Sequence, residues 1–338
     1  MSIKAYKGFD KNMQCRGFQF AEGETYHEDT AKLCESGFHA CEMPLDTLTY
    51  YAPGEGSIYR EVTLDEVSDE RSDDSKRCAK TITIGKELGI GGLVEAQIKF
   101  VKESSSLRSE TARAQGAAQA TGNQGAAQAT GDRGAALATG NQGAALETGN
   151  QGAAQATGDR GAALATGYKG AAQATGDRGA ALATGNQGAA LATGNQGAAQ
   201  ATGDRGAALA TGYKGAAQAT GDRGAAMATG NQGAALETGN QGAAQATGDR
   251  GAALATGYKG AAQATGYKGA AQATGKASVA AGCGFGCSVM GALGCAIFAV
   301  ERTLEGTIIS VASAIVDGEK IKPDTWYTCI GGKFIEST

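Results

Sequence analysis

Three prolines, two histidines and one tryptophan are all that 338 residues contain of these types, and aromatics make up only 6%. So few large side chains cannot fill an ordinary core of this size, which argues against a conventional pair of globular domains despite the length. No apolar run reaches the roughly 18 residues a membrane span needs. The opening MSIKAYKGFDKNMQC has no apolar stretch of the secretory-leader kind. Neither sign of charge dominates: 30 basic and 34 acidic side chains leave −4, and only the stretch before the repeats is distinctly acidic. That near-balance disfavours nucleic acid as a partner, and a membrane is not expected. The eight cysteines include no CxxC pair. Free thiols in a reducing cytoplasm are expected rather than a disulfide framework.

Glycine is plentiful, at 55 residues, and alanine, glutamine and threonine crowd the middle with it. From Gly116 to Gly269 the motif Gly-Ala-Ala-x-(Ala/Glu)-Thr-Gly-x-x begins every nine residues, eighteen times in all. A longer period overlies it, since GYKG stands at 167, 212 and 257, forty-five residues apart. Five units were duplicated together, which throws a turn of two or of three units out of phase. Tolerance of that implies structurally equivalent units. Two glycines per unit, each ~1 kcal/mol worse than alanine, exclude a helix. A disordered linker has no reason to keep glycine in register. The pattern predicts a mainly β protein built on a parallel β-solenoid, with strands such as 126–130, corners such as 131–134, and two or three units per turn.

Alternation divides each strand into two sets, Ala126/Gln128/Thr130 and Ala127/Ala129. Glu147 and Glu237 replace the second alanine of the latter set in two copies. An unpaired carboxylate is costly in a narrow interior, so the Ala/Glu set is expected to face water. The central residue (Gln, Leu or Met227) and Thr are then expected to point inward. The corners differ most, as Asn-Gln, Asp-Arg or Tyr-Lys. Tyr168-Lys169, Tyr213-Lys214, Tyr258-Lys259 and Tyr267-Lys268 form a candidate binding ridge, with solubilising corners as the plainer alternative. Asp in only six corners, always beside Arg, gives too few carboxylates for calcium.

The flanks read as separate units. Residues 1–103 form a small α+β domain, 104–115 an entry segment, 116–275 the solenoid, and 276–338 terminal rungs with a β-hairpin cap closed by Trp326 and Tyr327. Cys15, Cys34, His39 and Cys41 are zinc-capable types without the paired spacing of a strong site, so buried thiols and a packed histidine stand beside that reading. Tyr26, His27, Glu28 and His39 are the polar residues available to an enzyme there. GIGGL at 89–93 lacks the Lys and Ser/Thr of a phosphate loop. No cofactor is expected, and no catalytic set emerges.

The phrases KAYKGF, CRGFQF, GETY and KLCESGFHAC, with VDGEKIKPDTWYTCIGGKFIE at the other end, resemble an uncharacterised family encoded by bacteriophages and prophages. Its members carry Gly/Ala/Thr-rich repeats between such ends. The resemblance spans roughly residues 1–103 and 276–338 and brings no functional residues with it. The repeats also resemble the head repeats of trimeric adhesins, departing from them in the nine-residue spacing. Together these imply a protein of the bacterial host cytoplasm or of a virus particle. The leading expectation is a non-enzymatic scaffold engaging a host or viral protein, possible targets including a host-defence complex, with dimer and trimer both open. A nucleic-acid mimic that inhibits a DNA enzyme, an ice-binding or fibre protein, and an enzyme in the first domain are the alternatives. Inward threonines would leave no ice-binding activity.

Overall fold

The computed structural model describes residues 2–52, 56–70, 75–104, 109–113, 117–131 and 133–337. In the N-terminal domain β1 (Ile3–Phe9), β4 (Thr25–His27), β5 (Phe38–Cys41), β6 (Ile58–Val67) and β7 (Lys76–Leu88) form an antiparallel sheet in the order β4-β7-β5-β1-β6. A small hairpin, β2 (Gln14–Cys15) with β3 (Phe18–Gln19), lies beside it, and a 3-10 turn at Pro44–Asp46 leads into α1 (Thr47–Tyr50). β6 also pairs with β7, closing β1, β6, β7 and β5 into a ring, and Phe9, Phe20, Phe38, Leu64, Ile82 and Ile84 make one core.

From β8 (Ser109–Arg113) the chain winds into the solenoid. One strand forms per nonapeptide, from β9 (Ala117–Thr121) to β26 (Ala270–Ala273), and β27 (Val279–Gly282), β28 (Ser288–Gly291) and β29 (Ala296–Arg302) continue the winding. The predicted entry segment thus supplies a first strand at 109–113, while 105–108 and 114–115 lie outside the described residues. Alternate strands fall into two parallel sheets, so each turn holds two units, and about ten turns run from residue 117 to 299. At ~4.8 Å per rung the rod is roughly 50 Å long. The corners stay hydrogen-bonded from rung to rung: Gln142 N–H donates to Asn123 O at 2.8 Å and Ala144 N–H to Gly125 O at 2.9 Å. Backbone polar groups are therefore satisfied around the turn as well as along the strands. The first corner glycine is obligatory. Gly185 has φ +147°, and a Cβ there would collide with the carbonyl oxygen of Gly167 one turn away.

The facing of the strands is the reverse of the expectation. Ala127 and Ala129, and their equivalents in every rung, are the buried set, while the central Gln, Leu or Met and the Thr point outward. Four-residue corners bring the two sheets so close that the interior holds methyl groups and little else; rows of Leu and Gln from both sides would not fit there. Glu147 and Glu237 are fully buried with that set. Each carboxyl reaches the corner, into the space that the missing Cβ of Gly152 or Gly242 leaves open. Among the described residues neither has a hydrogen-bond partner, and burial pushes both up to about 7. The expulsion argument fails because a buried carboxyl is kept by staying protonated.

The far end closes by reversing strand direction. β30 (Ile308–Ile315) pairs antiparallel with β29, and β31 (Tyr327–Ile330) with β32 (Lys333–Glu336) completes the other sheet through Val289↔Tyr327. Tyr327 is buried in the continuation of the alanine core, and Trp326 is half-buried beside it. Antiparallel end strands stop further parallel stacking. Among the described residues no helix is long and apolar enough to cross a membrane.

Candidate functional site: a flank-mounted domain, its cavity and an open sheet

The N-terminal domain does not sit at the end of the rod but on its side. Helix α2 (Ile90–Ser104) buries Leu93, Val94, Ile98 and Val101 against Ala126, Ala144, Ala162, Ala180 and Leu182. Those partners are successive rungs of a single sheet. Fifteen residues of helix span ~22 Å, close to the ~19 Å covered by the five rungs α2 touches. GIGGL serves this docking. Gly91 lies against Leu182 and Gln200, and its N–H donates to Gln200 Oε1 at 2.9 Å. Asp46, fully buried, takes ion pairs from Arg160 and from Arg178 (3.1 Å), and accepts Ser75 N–H and Oγ at 3.0 and 2.6 Å.

The opposite sheet is left open. On it the first alanine of each unit, from Ala135 and Ala153 through Ala261, is exposed, whereas Ala126, Ala144, Ala162, Ala180 and Ala198 under the helix are buried. Its surface is uncharged: rows of Ala, of Gln, Leu and Met227, and of Thr, repeating every rung. At its far end Val279, Val311 and Ile315 stand on the same outward face, with Ile309 at the register irregularity beside them, all between 42% and 66% exposed. Apolar residues clustered in this way mark interaction surfaces.

The Tyr-Lys corners do not make one ridge. Forty-five residues is five units, an odd number, so successive copies alternate between the two edges of the rod. Tyr168 and Tyr258 follow strands of the covered sheet, and Tyr213 and Tyr267 follow strands of the open one. Within each edge the pairs are five and three turns apart, roughly 24 and 14 Å. All four tyrosines are exposed, and Lys169, Lys259 and Lys268 each lie over the ring of their own tyrosine at 5.0–6.0 Å. Tyr267 stacks on Phe285 at 5.5 Å.

Cys15, Cys34, His39 and Cys41 do come together, as parts of the lining of one cavity of about 490 Å³ in the N-terminal domain. Among the described residues no three His, Cys, Asp or Glu side chains stand close enough to hold a metal ion. His39 Nε2 accepts the backbone N–H of Cys34 at 2.8 Å, a bond that the left-handed backbone of Cys34 (φ 65°) presents. Burial first, then the charges of Lys7 and Lys76, hold His39 below the usual imidazole range, so it stays neutral. The polar quartet Tyr26, His27, Glu28 and His39 is split. β4 and β5 follow one another along the same edge of β7, β4 beside Thr81–Thr83 and β5 beside Lys76–Ala79; His27 is exposed and bonds Thr81 at 2.9 Å, while Glu28 and His39 reach the cavity.

Lys7, at the middle of β1, was legible in the sequence only as one basic residue in an alternating strand. Its side chain is nine-tenths buried; Nζ donates to His39 O at 2.8 Å and lies 3.5 Å from Cys15 Sγ. Burial lowers its amine below the usual lysine value. Gly8 beside it matters for a steric reason: a Cβ would lie 2.7 Å from Tyr51, which packs flat on the strand and forms a cavity wall.

Fold and site together define a β-solenoid protein with a pocketed α+β domain mounted on its flank. Residues 3–96 match the model of a family described as a domain of unknown function, DUF7666. The match takes in the five-stranded sheet, the cavity lining and the first half of α2. No curated protein and no solved structure matches the chain.

Proposed function

We propose that the chain is a non-enzymatic interaction protein of phage or prophage type, acting in the bacterial cell. The rod is a rigid frame that carries the small domain on one face and offers the open face to a protein partner. The observation that carries this reading is the asymmetry of the two sheets. One is covered by α2 over five rungs; the other is flat, uncharged and uncovered, and it ends in Val279, Ile309, Val311 and Ile315. Extended repeat surfaces of this kind suit binding by many small contacts. The absence of charge on the outward strand faces makes the display of phosphate-like carboxylates the weaker alternative.

Photo-crosslinking in bacterial cells tests it. With the crosslinker at positions 227 and 309, one discrete adduct is expected, and none from position 236 on the covered sheet beyond the helix. An adduct at twice the chain mass identifies a second copy as the partner. Equal, diffuse labelling from all three positions sinks the reading.

Ice binding gains support from the facing of the strands, because the threonine row stands outward on the open sheet at ~4.8 Å intervals. Measured thermal hysteresis would favour it, and its absence at millimolar protein would remove it.

A further inference from the structure

The cavity of the N-terminal domain is walled by aromatic side chains and lined by three cationic and two anionic ones. Lys7, Arg16 and Lys76 line it, and so do Glu28 and Glu35. Both carboxylates are engaged with other groups: Glu28 Oε2 accepts the N–H of Gly37 at 2.8 Å, and Glu35 pairs with Lys32 at 2.7 Å. Lys7 is the residue that asks for an explanation. A lysine ammonium brings three donors, and the contacts Lys7 makes are to an uncharged carbonyl, a thiol and the rings of Phe9 and Phe20 at 5.6 and 5.7 Å, none of which carries a counter-charge. Among the described residues no carboxylate lies within ion-pair distance of it. A buried ammonium without a counter-ion is costly, and its lowered affinity for a proton reflects that cost. An anion entering the cavity would supply the missing charge.

The walls specify the rest of the ligand. Phe18 and Tyr50 keep 43% and 45% of their surface exposed although both line a concave site, and Tyr51 and Phe20 complete the apolar part. Lys76 Nζ stands 4.7 Å from the centre of the Tyr50 ring, placing a second cation beside an aromatic face. A volume of about 490 Å³ lies within the range of small-molecule sites. We propose that this cavity is a binding site for a small aromatic anion, a planar ring bearing a phosphate or a carboxylate, with Lys7 meeting the anionic group and Phe18 and Tyr50 flanking the ring. The site lies wholly within the residues matched by the family model, so the proposal is independent of any partner on the rod.

Titration calorimetry on the full chain with four probes tests it. AMP and salicylate present a phosphate and a carboxylate on ring-bearing molecules; adenosine and inorganic phosphate present each half of AMP alone. At least one of the first two is expected to bind, at least tenfold more tightly than either half. Lys7→Met, whose unbranched side chain is one atom shorter and carries no charge, is expected to weaken that binding at least tenfold with a melting temperature no lower than the parent's. Should Lys7→Met fail to fold, Lys76→Gln at the rim is expected to weaken binding at least threefold. Adenosine binding as tightly as AMP, binding unaffected by these substitutions, or no binding of AMP or salicylate at millimolar concentration overturns the proposal.

Discussion

At Glu147 and Glu237 a carboxyl stands where sixteen other units place a methyl group. Both are fully buried, lack hydrogen-bond partners among the described residues, and are pushed up to about 7 by burial. The ordinary value is 4.5, so between pH ~4.5 and ~7 the folded chain holds protons that the unfolded chain has released. Stability is therefore highest on the acid side of that window, falls as pH rises through it, and levels off above it. Glu147→Ala with Glu237→Ala is expected to raise stability at pH 8 by about 1–3 kcal/mol per site, on the usual scale for a buried polar group, and the melting temperature with it. It should also flatten the decline between pH 5 and 7. Melting curves over pH 4.5–8.5 check this; a double variant that melts like the parent at every pH contradicts the buried placement.

Helix α2 and the Asp46 corner belong to the scale of elements. The amphipathic spacing of Leu93, Val94, Ile98 and Val101 makes a helix with one apolar face, and the sequence shows that much. It does not show the face's destination. Arg160 and Arg178 are two of six Asp-Arg corners identical in sequence, yet these two, on adjacent turns of one edge, are the pair that meets Asp46. Replacing both by alanine leaves a buried carboxylate without its cations, a loss of about 3 kcal/mol in docking. Hydrogen exchange across α2 is expected to accelerate while exchange in the far rungs stays unchanged. Unaltered protection of the helix would show that the apolar contact alone holds the domain.

For the whole molecule, two equivalent units per turn make the rod a half-turn ratchet. Removing one nonapeptide beyond the helix footprint, for instance residues 233–241, shifts every later strand into the opposite sheet. The chain is expected to fold with nearly the parent melting temperature, because one unit replaces another in every contact. The outward cluster Val279, Ile309, Val311 and Ile315 then turns to the side that carries the N-terminal domain. Removing eighteen residues leaves it where it was and shortens the rod by ~4.8 Å. Distances between a spin label on α2 and one at position 309 separate the two cases. The natural five-unit duplication made the same half-turn, which is why its Tyr-Lys corners alternate between edges.

Period, strand positions and glycine corners of the solenoid were all determined by the sequence, because they rest on local chain geometry that each nonapeptide carries within itself. The facing of the strands, the side of the rod on which the first domain lies, the two arginines that hold it and the cavity around Lys7 were decided by tertiary structure. Each of these depends on what stands opposite: the gap left between two sheets by a four-residue corner, or a helix laid along one face. Identical units contain no information that distinguishes one rung from the next, so contacts between distant parts of the chain make that choice.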